Sequence, residues 1–469
     1  TESPDEATAR NAQGGPEESH LTKPYALCTD CGKLAPRGTT SCVCGNTSAR
    51  MKDVLVYTES ADVQTRCALC GHKDSNVIRR LTTDVNAAPA VLATSLYDLL
   101  PPDEEMLGEI GQGRKLLAFS DSRQAAAFAA PYLERTHHEL MKRRIIFEVL
   151  NNERAHEVLT AESLMHYMVK CALENVVISS SLDEFTRKKL IGNWLFSELT
   201  TQATRQSLNG MGLMSVRVDS DRLSQMEVFG RLAQLVGSDE AALSLLNVLA
   251  AQFRTRFAVT HPDEVDTSSD EFLPRRHEYY FQEHIQAADR TQLSWLPARA
   301  HTTNNRIEYI LKLLNKCGIP SNKLRENAEQ LLSFVWKGFV DVGLSKIVRK
   351  HGVDRQLDYS ALRFASGKST TWYKCSICHV VTEFNCLDLC VNGKCEGTLV
   401  PFEPFSDENR KNHYAWLAEN LEIVNLRALE HTAQWTPKKA AKVQEDFVQG
   451  KVNVLSCSTT FELGVDVGS

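Results

Sequence analysis

Fourteen cysteines stand in this 469-residue chain, and eleven of them fall into two groups. The first group opens with CTDCGKLAPRGTTSCVCG, which places Cys28-x2-Cys31 ten residues before Cys42-x-Cys44, and Cys67-x2-Cys70 follows. Cysteine pairs at such spacing fold as knuckles, two of which present four thiolates to one tetrahedral Zn²⁺. Glycine directly after Cys31, Cys44 and Cys70 suits the tight knuckle turn. Cys28 and Cys31 have two candidate partner pairs, Cys42/Cys44 and Cys67/Cys70, and spacing favours the first. Six cysteines cannot by themselves complete two four-cysteine sites. The second group, WYKCSICHVVTEFNCLDLCVNGKCEGTL, has five cysteines for four places. Cys375, Cys378, Cys390 and Cys395 form the more usual ribbon, a Cys-x2-Cys pair and a Cys-x4-Cys pair joined by a hairpin, with Cys386 to spare. His379 is an alternative ligand, but its place beside Cys378 points it away. Closed sites of this kind are scaffolds rather than catalysts. Tight clusters in a long chain indicate metal in a reducing compartment, here the cytoplasm, rather than a disulfide framework.

Two other stretches carry types suited to binding. FSDSRQAAA (119–127) and LSCSTTFELGVDVG (455–468) each read as a strand running into a Ser/Thr/Asp loop. In parallel α/β sheets ligands bind at the carboxyl ends of strands, where hydroxyls and backbone amides suit phosphates. Arg123 places a cation at a helix N-terminus, which is unfavourable unless an anion lies close. Asp466 follows a short apolar run and can accept a hydrogen bond from a sugar hydroxyl. The same patterns also serve as ordinary strand-to-helix caps. His137-His138 has no third metal ligand at useful spacing.

The elements that must position these residues alternate in character. KLLAF (115–119) and VNVLSC (452–457) read as buried strands, EIVNLRAL (422–429) as a further strand, and APAVLATSLYDLLP (88–101) and KKAAKVQEDFVQG (438–450) as helices. Apolar residues recur at helical spacing in 88–101, at Val91, Leu92, Leu96, Leu99 and Leu100. Residues 132–261 lack proline and repeat helical patterns, with a possible hairpin at 210–218. Runs 54–57 and 76–83 are β-like, and residues 1–19 are polar enough to be a tail or linker. Length allows two to four domains. Hydrophobic content of 42% and charged content of 24% are those of a globular chain. A net charge of −6 excludes a uniformly basic nucleic-acid coat but not a local basic groove. Lys142-Arg143-Arg144, Arg187-Lys188-Lys189 and Lys346–Arg355 are the basic clusters; each is more often a solvated helix face than a binding site. No run of eighteen apolar residues exists, so neither a transmembrane helix nor a membrane partner is expected.

FSDSRQAAAFAAPYLE, HTAQW (431–435) and VNVLSCSTTFELGVDVG together resemble the second RecA-like domain of superfamily 2 DEAD/DEAH-type helicases. They look most like the large bacterial cysteine-rich helicases that include the DISARM and Druantia defence helicases. The first stretch is similar to motif IV and the last to motif V. The resemblance implies an α/β fold, a RecA-like parallel sheet domain split by a large all-α insertion, with zinc ribbons. Its layout would be a tail at 1–19, a zinc-ribbon region at 20–85 and the first half of the RecA-like domain at 86–131. A helical insertion at 132–365, a second zinc ribbon at 366–403 and the second half of the domain at 404–469 would follow. The chain would then be a fragment that stops just after motif V, an expectation to which the opening Thr1 adds.

By the same resemblance, Ser122 and Arg123 would contact a nucleic-acid phosphate, and Ser458, Thr459 and Thr460 would line the strand path. Gly464 and Asp466 would face ATP and its Mg²⁺, shared with a missing N-terminal RecA-like domain. DNA, as single strand or duplex junction, that missing motor domain, and proteins of a defence or repair complex would be the partners. The pattern departs in three places. No G-x-x-x-x-G-K-[ST] loop exists, since SGKST (366–370) has Leu362 where the first glycine belongs. Asp5-Glu6-Ala7-Thr8 has no apolar strand before it. The arginine-bearing motif after motif V is missing. Without lysine, Mg²⁺ carboxylates and arginine finger, the chain alone should not hydrolyse ATP. The alternative is a non-catalytic zinc-ribbon and helical scaffold that binds protein or nucleic acid.

Overall fold

A computed structural model describes residues 22–44, 50–57, 87–120, 123–201, 203–273, 277–285, 290–297, 302–348, 353–407, 412–431 and 435–458. The tail 1–19, the β-like run 76–83, Cys67, Cys70, Ser122, Thr459, Thr460, Gly464 and Asp466 lie outside the described residues. The chain divides into two compact units, Thr1–Leu81 with Lys394–Glu396, and Thr82–Gly393 with Gly397–Ser469.

The first unit is a small antiparallel sheet. Strand β1 (Thr22–Cys28) lies between β2 (Leu34–Pro36) and β3 (Met51–Tyr57). The VLVY run falls in β3, in register from Thr22↔Tyr57 to Cys28↔Met51. Ala26, Cys28 and Val54 are its buried residues among those described.

The second unit is mixed α/β. Its helices are α1 (Ala87–Leu99), α2 (Arg123–Glu148), α3 (Ala161–Glu174), α4 (Glu184–Leu199), α5 (Ser220–Ser224), α6 (Phe229–Val236), α7 (Asp239–Thr255), α8 (Asn305–Lys316), α9 (Leu324–Asp341), α10 (His413–Asn420) and α11 (Pro437–Val448). Its strands are β4 (Leu116–Ser120), β5 (Met214–Val218), β6 (Tyr280–Gln282), β7 (Gln292–Ser294), β8 (Ser345–Ile347), β9 (Arg355–Leu357), β10 (Leu362–Ser366), β11 (Trp372–Cys375), β12 (Val381–Thr382), β13 (Leu399–Phe402), β14 (Ala428–His431) and β15 (Val454–Ser458). Side-chain oxygens cap the helices where the sequence supplies them: Asp183 accepts from Thr186 N at 3.0 Å, Ser238 from Ala241 N at 3.1 Å and Asn304 from Ile307 N at 3.0 Å.

Strands β14, β15 and β4 form a parallel sheet in that order. Period-two alternation gives β15 two buried faces. Val454 packs with Tyr97, Ala130, Leu133 and Ala428 under α1 and α2, while Leu455 and Cys457 pack with Val443 and Phe447 of α11. The run 422–429 is a strand only from Ala428 onward. Before that, Val424 and Leu426 are buried in extended chain, and the Arg427 N–H donates to the Asn453 side chain at 2.7 Å. The leucine stripe of 88–101 is not the buried face of α1. Leu92, Leu96 and Leu99 are exposed, and Thr94 and Tyr97 face the sheet domain's core.

The insertion is not all helical. Strand β5, expected as a local hairpin, pairs antiparallel with β10 from Val218↔Leu362 to Met214↔Ser366. A four-stranded sheet, β7-β6-β9-β8, lies within the same region. These strands are three to five residues long, too short to show a period, and β5 and β10 lie far apart along the chain. Helix α2 also runs unbroken across 131–132 through Pro131, so the sheet domain and the helical body share one helix. The core of that body holds Phe253, Phe281, Trp295, Trp336 and Phe339, with Phe253 within 6.3 Å of the other four ring centroids.

Candidate functional site

In each cysteine group, four sulfurs converge. Cys28, Cys31, Cys42 and Cys44 form one group and Cys375, Cys378, Cys390 and Cys395 the other, with all ligand atoms of a group within 4.8 Å of one another. The Sγ–Sγ separations are 4.0 Å for Cys28–Cys44, 3.4 Å for Cys31–Cys42 and 3.5 Å for Cys378–Cys390. Four sulfurs about 2.3 Å from a tetrahedral Zn²⁺ stand about 3.8 Å apart, whereas a disulfide needs about 2.0 Å. Both sites therefore have the donors and spacing for a metal such as zinc.

The two Cys-x2-Cys turns share one backbone design. Gly32 N donates to Cys28 O at 3.0 Å, with φ +70° at Gly32. His379 N donates to Cys375 O at 3.1 Å, with φ +58° at His379. His379 thus holds the left-handed position that glycine holds in the first knuckle, and it stands outside the four-sulfur group. The Cys375 thiol accepts from Ile377 N at 3.4 Å. Gly397 is needed beside it, because a Cβ there would lie 2.4 Å from the Cys375 sulfur. In the first knuckle the backbone amide of Cys31 draws the Cys28 thiol down to about 7, toward the metal-binding thiolate. Cys386 is fully buried beside Tyr309, and burial pushes its thiol up to about 12; it belongs to the core.

Helix α8 grips the second knuckle loop. Lys312 Nζ donates to Cys390 O at 3.2 Å and Asn392 O at 3.1 Å, and Asn305 Oδ1 accepts from Gly393 N at 2.7 Å. Spacing rules were blind to these contacts, because Lys312 and Asn305 resemble any solvated helix residues in the sequence.

At the parallel sheet, β4 and β15 are neighbours and Ser120 stands in register with Ser458. The strands of FSDSR and LSCSTT therefore end at one carboxyl edge. Ser458 is buried at the end of β15, and Arg123 is the first residue of α2. The other end of β15 is tied by Asn453, whose side chain donates to Tyr97 Oη and to Asn425 O at 3.0 Å and accepts from Arg427 N. Its backbone carbonyl accepts from Leu116 N at 2.8 Å. The only signal for this tether was a polar residue heading an apolar strand.

Six described cations of the basic clusters pair with carboxylates, while Arg187 and Arg355 donate to the backbone carbonyls of Ser180 and Ser345. Lys142 is buried against Glu139 at 2.6 Å and Glu271 at 3.2 Å, Arg143 pairs with Glu198 at 2.8 Å and Arg144 with Glu148 at 2.6 Å. Lys188 pairs with Glu184 at 2.7 Å, Lys189 with Asp266 at 3.0 Å and Lys346 with Asp358 at 2.9 Å. His138 meets Glu271 at 2.7 Å, while His137 is buried against the Tyr97 ring. SGKST is a turn between β10 and β11, where Ser366 Oγ accepts from Lys368 N at 3.0 Å. Among the described residues no helix is long and apolar enough to cross a membrane. No protein-family model matches the chain, and no curated protein or solved structure matches it either.

Proposed function

We propose that this chain supplies the second RecA-like domain of a superfamily 2 DNA helicase or translocase, of the cysteine-rich type associated with phage defence or repair. One observation carries the reading: Ser120 and Ser458 stand in register on adjacent parallel strands, so the two motif-bearing loops leave the same sheet edge. A strand of DNA would run along that edge, held by Ser122, Arg123 and the loop from Ser458 to Thr460. Gly464 and Asp466 would face ATP and Mg²⁺ at a junction with a first RecA-like domain that carries the phosphate loop. The four-cysteine sites would hold structural Zn²⁺.

The test is fluorescence anisotropy with a labelled single-stranded oligonucleotide. The chain should bind, and Arg123→Ala and Thr459→Ala should each weaken binding by roughly ten- to a hundredfold, the loss of one charge-assisted hydrogen bond. The chain alone should not turn over ATP, for want of a phosphate loop. Absence of DNA binding, or binding indifferent to both substitutions, would favour a zinc-bearing scaffold for protein partners instead.

A further inference from the structure

A cleft of about 380 Å³ opens in the helical body between α4, α7 and the Cys378–Phe384 turn, and none of its lining residues belongs to β4, β14 or β15. Its volume is in the range of small-ligand pockets, roughly 300–1,000 Å³. Two carboxylates line it, and both are already fully engaged. Glu198 accepts from Leu208 N at 2.6 Å and from Arg143 Nε at 2.8 Å. Glu383 accepts from Val216 N at 2.9 Å, and from Ser215 Oγ and Arg217 Nε.

Arg254, projecting from α7, is in the opposite condition. It donates to Asn209 Oδ1 at 2.8 Å, a neutral acceptor, and forms no ion pair among the described residues. The Asn209 amide is held in that orientation by its own bond from Nδ2 to Met214 O at 2.9 Å. Burial pulls the Arg254 guanidinium below its usual range, and the charges of Glu383 and Glu198, turned to other partners, do not offset this. Arg254 is half-buried, and a cation facing a cleft without its own carboxylate among the described residues suits an anion in that space. Arg205 lies at the exposed rim, where one nitrogen donates to Cys378 O at 3.1 Å and the rest of its fork remains for a ligand. Apolar side chains also line the cleft, among them Leu199, Val248, Val381 and Phe384.

We propose that this cleft binds a small organic phosphate, with Arg254 as counter-ion to the phosphate, Arg205 closing on it from the rim, and the apolar lining receiving the organic part. A phosphate suits this donor set better than a carboxylate because two arginines line the cleft, and a dianion with three terminal oxygens matches their combined charge where a carboxylate brings one negative charge.

The experiment is isothermal titration calorimetry on the full chain with phenyl phosphate, benzoate and phenol, and with inorganic phosphate as competitor. Phenyl phosphate should bind, benzoate and phenol should bind at least tenfold more weakly, and inorganic phosphate should displace phenyl phosphate. Arg254→Met, which keeps the aliphatic stem, should weaken phenyl phosphate at least tenfold with far-UV circular dichroism unchanged. Should that variant fail to fold, Arg205→Met at the exposed rim decides, with a loss of about threefold or more expected. No phenyl phosphate binding, equal affinity for benzoate or phenol, or undiminished affinity in the deciding variant would overturn the proposal.

Discussion

Zinc should leave this protein in two kinetic classes, and helix α8 should set the slower one. In the 28–44 site Cys31 is exposed, whereas in the 375–395 site Cys375, Cys390 and Cys395 are all buried. Cys378 is only half-buried, but a chelator needs more than one open edge to take the ion, and the 390–393 segment must open to provide it. Opening breaks the two bonds from Lys312 Nζ, the Gly393 N bond to Asn305 Oδ1, and the 3.4 Å bond from Asn305 Nδ2 to Val391 O. Four such bonds at about 0.5–1.5 kcal/mol each amount to about 2–6 kcal/mol. That slows release by at least about thirtyfold relative to a site that needs no opening. The assay is absorbance of a zinc-binding dye such as 4-(2-pyridylazo)resorcinol after mixing with protein purified under reducing conditions. At least two equivalents should be released. Cys31→Ser should remove the fast class and Cys390→Ser the slow one. Lys312→Ala should speed the slow class roughly five- to a hundredfold, the loss of two bonds, and leave the fast class alone. Fewer than two equivalents, or a Lys312→Ala effect on the fast class, would refute the reasoning.

Asn453→Ala should lower the melting temperature by roughly 2–6 °C, because the part-buried Arg427 N–H loses its acceptor at a cost of about 1–3 kcal/mol; calorimetry checks this, and an unchanged melt would mean the asparagine tethers nothing. Acid should destabilise the protein partly through His137, which burial pulls from its ordinary 6.5 to about 3. The unfolded chain takes up this proton below pH 6.5 and the folded chain only near 3, so stability falls as pH drops through that window. At pH 4.5 the loss from this group is about 2–3 kcal/mol, and His137→Leu should shrink the difference in unfolding free energy between pH 7 and pH 4.5, read from urea titrations, by that amount. An undiminished difference would assign the acid limb to other groups.

What the sequence determined by itself was whatever depends on near neighbours. Cys-x2-Cys turns bring two sulfurs together whatever surrounds them, so the four-sulfur groups at 28–44 and 375–395 were legible from spacing. Strands β4 and β15 were legible because five apolar or small residues in a row leave few alternatives, and helix α11 because Thr436-Pro437 marks its start. Tertiary structure alone decided which distant groups meet. The pairing of β5 with β10 closes a loop of more than a hundred residues, and no local period announces it. Lys142, Arg143 and Arg144 read as a basic run, yet each is neutralised by a carboxylate. Leu92, Leu96 and Leu99 carry helical periodicity that the fold leaves in solvent, because Tyr97, on the other face of the turn, reaches Asn425 and Asn453 beneath β15. Arg254 looks like any arginine near a helix end. Only the packing of α7 against a cleft whose carboxylates are engaged elsewhere leaves its charge without a carboxylate partner among the described residues.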